Sequence, residues 1–170
     1  MSEDAYTVFV DNRLVLIRPT DAHDVAMAAD FVRKLSSRTK RYRFFGAVKE
    51  LSARQIEQMC HVDGYHSMAF VATISEQDGE VEIGVCRYSP GTSDKVRELA
   101  VTVADEWQHT GLAQIIMRRL VAWARQHGIR ELYSVDLADD QCMRQFASDF
   151  GMVTRRDPGD ANQLIHSLPL

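Results

Sequence analysis

Val96-Arg97-Glu98-Leu99-Ala100-Val101-Thr102-Val103, followed closely by Trp107-Gln108-His109-Thr110-Gly111-Leu112-Ala113, reads as an apolar strand, a short polar turn and the start of a long helix. The turn carries Gln-x-x-Gly-x-Ala just where the helix begins. A helix N-terminus offers unpaired backbone N–H groups and the positive end of a dipole, which makes it a ready seat for phosphate. Small residues at Gly111 and Ala113 let an anion approach the backbone closely. Glu98 places one carboxylate in the middle of the preceding apolar strand. An anion cradle beside a strand carboxylate points to a phosphorylated cofactor next to a general base.

The surrounding chain supplies a mixed architecture. Residues 110–127 read as the main amphipathic helix, with Leu112, Ile116, Leu120 and Trp123 on one stripe and Gly128 as its stop. Glu131–Leu137 is the next strand, so a strand-helix-strand unit implies one parallel pair with a right-handed crossover. On the N-terminal side, 67–75 and 81–88 read as strands joined through Gln77-Asp78-Gly79, a hairpin signal. Arg13–Arg18 is a first strand ended by Pro19. Asp21 caps a helix with Val25, Ala28, Ala29, Val32 and Leu35 on one face. Ser52-Ala53-Arg54-Gln55 is a capping box ahead of a second helix carrying Ile56, Met59 and Cys60. Asp139 caps a short helix with Met143, Phe146, Ala147 and Phe150 inward, stopped by Gly151. Strands at 152–156 and 163–168 close the chain. The expected fold is α+β, a central mixed, mostly antiparallel sheet flanked by about four helices.

The length of 170 residues suits one domain, 1–170, and no linker or repeat divides it. The 45% hydrophobic and 26% charged fractions are those of a soluble globular protein. A net charge of −4 gives no global drive toward nucleic acid or anionic membrane. No apolar run approaches the roughly 18 residues of a membrane span. Cys60, Cys86 and Cys142 are odd in number and widely spaced, which argues against a disulfide framework and for a reducing, cytoplasmic home.

The motif and its setting resemble the GNAT superfamily of acyl-CoA-dependent N-acetyltransferases, whose signature is Arg/Gln-x-x-Gly-x-Gly/Ala between a strand and a helix. A narrower likeness, to the GNAT domain of bacterial protein-lysine acetyltransferases, rests on Tyr42-Arg43-Phe44-Phe45-Gly46, Glu50-Leu51-Ser52, Val62-Asp63 and the lead-in Asp105-Glu106-Trp107-Gln108. The likeness runs from about Arg13 to Arg156. It implies the GNAT fold, acetyl-CoA as co-substrate with no metal, and an amine acceptor, foremost a protein lysine. It leaves a homodimer open.

By this resemblance Gln108, His109, Thr110, Gly111, Leu112 and Ala113 bind the pyrophosphate, and backbone of Val101, Thr102 and Val103 holds the pantetheine arm and the oxyanion. The family favours a glycine where His109 stands and an arginine where Thr110 stands. Backbone donors survive both changes, but the arginine's charge does not. Asp140 stands where the family usually carries an asparagine that contacts pantetheine. Many members place a tyrosine on the same helix as acid for the leaving thiolate. This helix has none, and Cys142 reads as a buried apolar thiol.

Glu98 is the expected catalytic base. A lysine-like amine with a pKa near 10.4 is neutral in only about one molecule in 2,500 at pH 7, which costs about 4.6 kcal/mol. A carboxylate that accepts the proton offsets part of this. The competing view makes Glu98 a surface carboxylate paired with Arg97, Lys95 or Arg87. The basic run Arg33, Lys34, Arg38, Lys40, Arg41 and Arg43 is either a solvated helix end or a contact for acidic protein surface or for a CoA phosphate. His61, Asp63 and His66 lack further clustered ligands for a metal. The rival functions are acetylation of a small amine and a non-catalytic acyl-CoA sensor.

Overall fold

The computed structural model describes residues 4–45 and 51–170. Gly46 and Glu50 of the narrower likeness lie outside them. The strands are β1 (Tyr6–Val10), β2 (Arg13–Pro19), β3 (Met68–Glu76), β4 (Gly79–Ser93), β5 (Val96–Val103), β6 (Glu131–Leu137), β7 (Val153–Arg156) and β8 (Gln163–Pro169). The helices are α1 (Val25–Lys34), α2 (Ser37–Phe44), α3 (Ala53–Cys60), α4 (Leu112–Gln126) and α5 (Gln141–Asp149). The strands form one sheet in the order β1-β2-β3-β4-β5-β6-β8-β7. Among the described residues only β5 and β6 run parallel, and α4 is their crossover.

The core lies where α4 crosses the sheet. Leu112, Ile116, Leu120 and Ala124 are fully buried against Phe70, Ile83, Cys86 and Tyr88. Gly84 in β4 makes room for that helix, because a Cβ there would sit 3.0 Å from Ile116 Cδ1. Trp123, expected on the same stripe, lies at its margin and donates from Nε1 to Gly64 O at 2.8 Å. On the opposite face, α1 buries Phe31, Val32 and Leu35. Between α1, α3 and the sheet sits Glu82, 5% exposed. Its Oε2 has no partner, and burial beside Asp24 pushes its carboxyl up to about 8 despite Arg18 nearby.

Several expectations change. The chain opens with an additional strand, β1, joined to β2 by Asp11-Asn12 at φ 49° and 60°. That geometry is a two-residue type I′ turn, which Asp and Asn tolerate. Phe9 and Leu14 pair across this hairpin with both side chains exposed, so apolar alternation does not mark the edge. The hairpin after β3 pairs Glu76 with Gly79, which makes Gln77-Asp78 its two-residue loop and Gly79 the first residue of β4.

Five α-helices are present among the described residues, in keeping with the expected architecture, and the basic run supplies one of them as α2. Ser36 caps it by accepting from Thr39 N, and no residue of α2 is buried. A helix with no apolar stripe is invisible to periodicity. The helix that follows Asp21 begins with a 3-10 turn, where Asp21 and Asp24 form a reciprocal capping box. Finally, α5 is capped by Asp140 rather than Asp139. Asp140 Oδ1 accepts from Met143 N at 3.0 Å, while Asp139 turns outward.

Candidate active site

The parallel pairing of β5 with β6 covers only Val96–Glu131, Arg97–Leu132 and Glu98–Tyr133. Beyond that point β5 stays with β4 and β6 stays with β8, so the two strands part. The resulting wedge holds a cavity of about 580 Å³ lined by β5, the 107–114 turn, β6, α5 and α2. Drug-sized and cofactor ligands occupy pockets of this order.

Glu98 stands at the apex of the wedge and faces the cavity. The competing ion pairs do not form. Arg97 is buried on the other face, donating to Tyr65 O, Ser93 O and Val96 O. Among the described residues Glu98 makes no ion pair. Its field reaches Tyr133, whose hydroxyl is raised by burial and by Glu98.

The remaining predicted residues divide by what their groups are free to do. Ala104 N donates to Ile83 O on β4 at 2.9 Å. Strand groups alternate sides every second residue. The N–H and C=O of Val101 and Val103 therefore face the wedge, and those of Thr102 face β4. Gln108 Nε2 bonds Thr39 Oγ1 at 3.2 Å and reaches Val103 O at 3.5 Å, so this side chain ties the turn to its neighbours. Thr110 Oγ1 donates to Trp107 O at 2.6 Å and accepts from Leu112 N. The hydroxyl is thus committed within the turn, and Thr110 has only its backbone to offer a ligand. His109 is exposed, with φ 62°. Asp140 lines the wedge with one oxygen already spent on the α5 cap. Cys142 is exposed at the wedge, not buried as expected.

Gly111 caps α4 at φ +86°, and a Cβ there would meet nothing within 4 Å. The glycine is needed for backbone conformation, and the space beside it is open. The amides at the start of α4 other than Leu112 N have no intrahelical acceptor and border that space. These features fit a pyrophosphate, and the open wedge behind them fits a pantetheine arm. The Gly111→Asn variant tests the fit, since asparagine tolerates the left-handed region. It should fold and melt close to the wild type, yet lose the stabilisation by acetyl-CoA that ligand linkage demands. An unchanged dissociation constant would remove the cradle assignment.

Sequence reading missed the roof. Asp105 accepts from Ser36 N at 2.9 Å, Ser36 Oγ at 2.6 Å and Thr39 Oγ1 at 2.7 Å. Burial pulls its carboxyl up, but these bonds outweigh it and hold the group below the usual range. At the far end of α2, Arg41 pairs with Asp139 at 3.1 Å and Tyr42 OH reaches Asp139 O at 3.4 Å. The helix thus spans the wedge from the cradle to α5, with Arg38 and Arg43 lining the cavity. Burial and nearby Arg87 push the Arg43 guanidinium down to about 10, partly offset by Asp136 and Glu98. The cap pattern Ser36-x-x-Thr39 was the available signal.

Asp136 was also missed. It interrupts β6 as Glu98 interrupts β5, and it lines the same cavity. Away from the wedge, Asp63 Oδ1 accepts from the backbone of Ser67, His66 and Tyr65, and Oδ2 contacts His66 Nδ1. These bonds, that from Ser67 foremost, hold its carboxyl far below the usual range. The 61–66 segment is therefore a turn closed by Asp63. Among the described residues no group of three or more His, Cys, Asp or Glu is placed to hold a metal. No described helix is long and apolar enough to cross a membrane.

Comparison with known proteins agrees with this geometry. The model of the Acetyltransferase (GNAT) family matches residues 31–152. Acetyltransferase PA5475 of Pseudomonas aeruginosa is 42% identical over 161 residues, covering 94% of this chain and 86% of that protein. Acetyltransferase Pat of Mycolicibacterium smegmatis is 27% identical over 83% of this chain, which spans only 42% of that longer protein. Among solved structures, the GNAT domain of S. lividans PAT superposes with a TM-score of 0.90 at 24% identity, covering 100% of this chain and 99% of its own. The chain belongs to the GNAT acetyltransferase family and is an acetyl-CoA-dependent acyltransferase.

Proposed function

We propose that the protein transfers the acetyl group of acetyl-CoA to the side-chain amine of a protein lysine in the cytoplasm, residues 1–170 acting as one domain. The observation that carries this reading is Glu98, free of ion pairs among the described residues at the point where β5 and β6 part. Acetyl-CoA supplies an activated acetyl thioester. The N-terminal amides of α4 and the backbone of His109 to Gly111 hold its pyrophosphate. The Val101 and Val103 backbone groups receive the pantetheine arm and stabilise the negative charge that develops on the thioester oxygen. Glu98 takes the proton from the attacking amine, directly or through water.

The protein acceptor is favoured by the roof. Lys40, Arg41 and Arg38 lie on α2, which shapes the wedge, so acidic surface around a target lysine would meet positive charge there. The test pairs purified protein and acetyl-CoA with lysine peptides and intact proteins on one side, and with polyamines and amino sugars on the other. CoA release together with acetyl-lysine found by mass spectrometry is the expected result. Turnover only with the free amines would assign a metabolite enzyme. Tight acetyl-CoA binding with no acceptor at all would assign a sensor.

A further inference from the structure

We propose that Asp136 is the proton donor to the sulfur that leaves during acetyl transfer, an assignment that rests on the reading of the wedge as the acetyl-transfer site. Asp136 lies three residues beyond the last β5–β6 pair, on the wall of the wedge opposite Val101 and Val103. That wall borders the channel through which the pantetheine arm would bring its sulfur. Of the other protic groups at the wedge, Tyr42 lines the cavity from α2 but turns its hydroxyl to Asp139 O at 3.4 Å. Tyr133 belongs to the last pair, at the base of the wedge, and does not line the cavity. Cys142 is exposed, and no tyrosine occurs on α5.

Asp136 is enclosed by groups from four other elements. Ser134 Oγ donates to Oδ2 at 2.6 Å from the same strand. From β8, the fully buried His166 brings its unpartnered Nε2 within 4.0 Å of Oδ2. Thr154 on β7 holds His166 Nδ1 at 2.7 Å. Asp140 faces Asp136 from α5, Arg43 from α2 and Glu98 from β5. Burial, with Asp140 and Glu98 adding to it, pushes the carboxyl up to about 6 against the Ser134 bond and Arg43. Two carboxyls in one site whose environments differ divide acid and base work between them. Glu98 is exposed and takes the base role, while Asp136 is the more enclosed.

The step balances. The amine nitrogen forms a C–N bond to the acetyl carbon, and the C–S bond breaks with its electron pair left on sulfur. The amine's proton passes to Glu98, and the Asp136 proton passes to sulfur. Water then reprotonates Asp136 and deprotonates Glu98. A thiolate whose thiol has a pKa near 8.5 takes a proton downhill from an acid near 6.

The test compares wild type, Asp136→Asn, Asp136→Glu and Glu98→Gln by two readouts. The first is the infrared carbonyl stretch of a protonated carboxyl at pH 6 with CoA bound, taken as the difference between wild type and Asp136→Asn. It needs no acceptor. A protonated Asp136 supports the assignment, and an ionised one overturns it. The second is the pH dependence of kcat with a lysine peptide. The wild-type rate should fall as pH rises through the Asp136 value. Asp136→Asn should lose about 10²-fold and that alkaline fall together, with acetyl-CoA affinity held within about twofold, and Asp136→Glu should restore part of both. Unchanged kcat and profile in Asp136→Asn overturn the proposal. Loss in Asp136→Asn with none in Glu98→Gln would instead remove Glu98 as base and leave Asp136 standing.

Discussion

Glu98→Gln should lower the rate of acetyl transfer by about 10²- to 10⁴-fold near neutral pH, the range for a positioned general base. The amide keeps the shape of the carboxylate but cannot accept a proton. The side chain makes no ion pair among the described residues and faces an open cavity, so the fold should lose little, and acetyl-CoA should still raise the melting temperature. The loss should shrink as pH rises toward the amine's own pKa, because free base then becomes abundant. Turnover near wild type from pH 6 to 9 would make Glu98 structural.

Glu82→Gln should act on stability and in the opposite direction. Glu82 is buried, its Oε2 has no partner, and its carboxyl is raised to about 8. In the unfolded chain the same group titrates near 4.3. Between these values the native state binds more protons than the unfolded one, so stability falls as pH rises from about 4 to about 8. The full swing is on the order of 5 kcal/mol at 1.36 kcal/mol per pKa unit. Glutamine resembles the protonated acid and has nothing to lose. At pH 4, below the unfolded value, the variant and the wild type should melt together. At pH 8.5 the variant should melt higher by on the order of 10 °C, given 2–4 °C per kcal/mol for a domain of this size. Parallel melting curves against pH would show that Glu82 finds a partner in solution.

What the sequence disclosed and what it hid follow from how each element is held. The β5–α4–β6 unit was legible because three signals agree there: an apolar strand, a left-handed glycine at the helix start and an apolar stripe on the helix. The capping boxes at Asp21 and Ser52 were equally plain, since the motif is local. The α2 helix was not, because polar side chains hold it to distant partners such as Asp105 and Asp139. Contacts of that kind leave no periodic trace along the chain. Strand β1 was hidden because its outward Phe9 pairs with an outward Leu14. At the site, the backbone roles proposed for the cradle were readable from spacing. The side-chain commitments of Gln108, Thr110 and Asp140 were not, because each depends on which neighbour arrives first to take its hydrogen bond.

The absence of any buried residue in α2 bears on how the enzyme admits a large acceptor. Under the proposed function, a protein lysine would have to pass this roof to reach Glu98. An amphipathic lid would have to tear apolar surface out of the core each time it lifted. Here the ties are hydrogen bonds and one exposed ion pair, each worth about 0.5–1.5 kcal/mol net and each replaceable by water, and apolar packing is confined to the partly buried Phe44 against Phe31, Val32 and Leu35. The roof can therefore rise one bond at a time while the core under α4 stays dry. In the proposed reaction, admission of an acceptor would then cost the sheet little, and an incoming acidic surface would compete with Asp139 for Arg41.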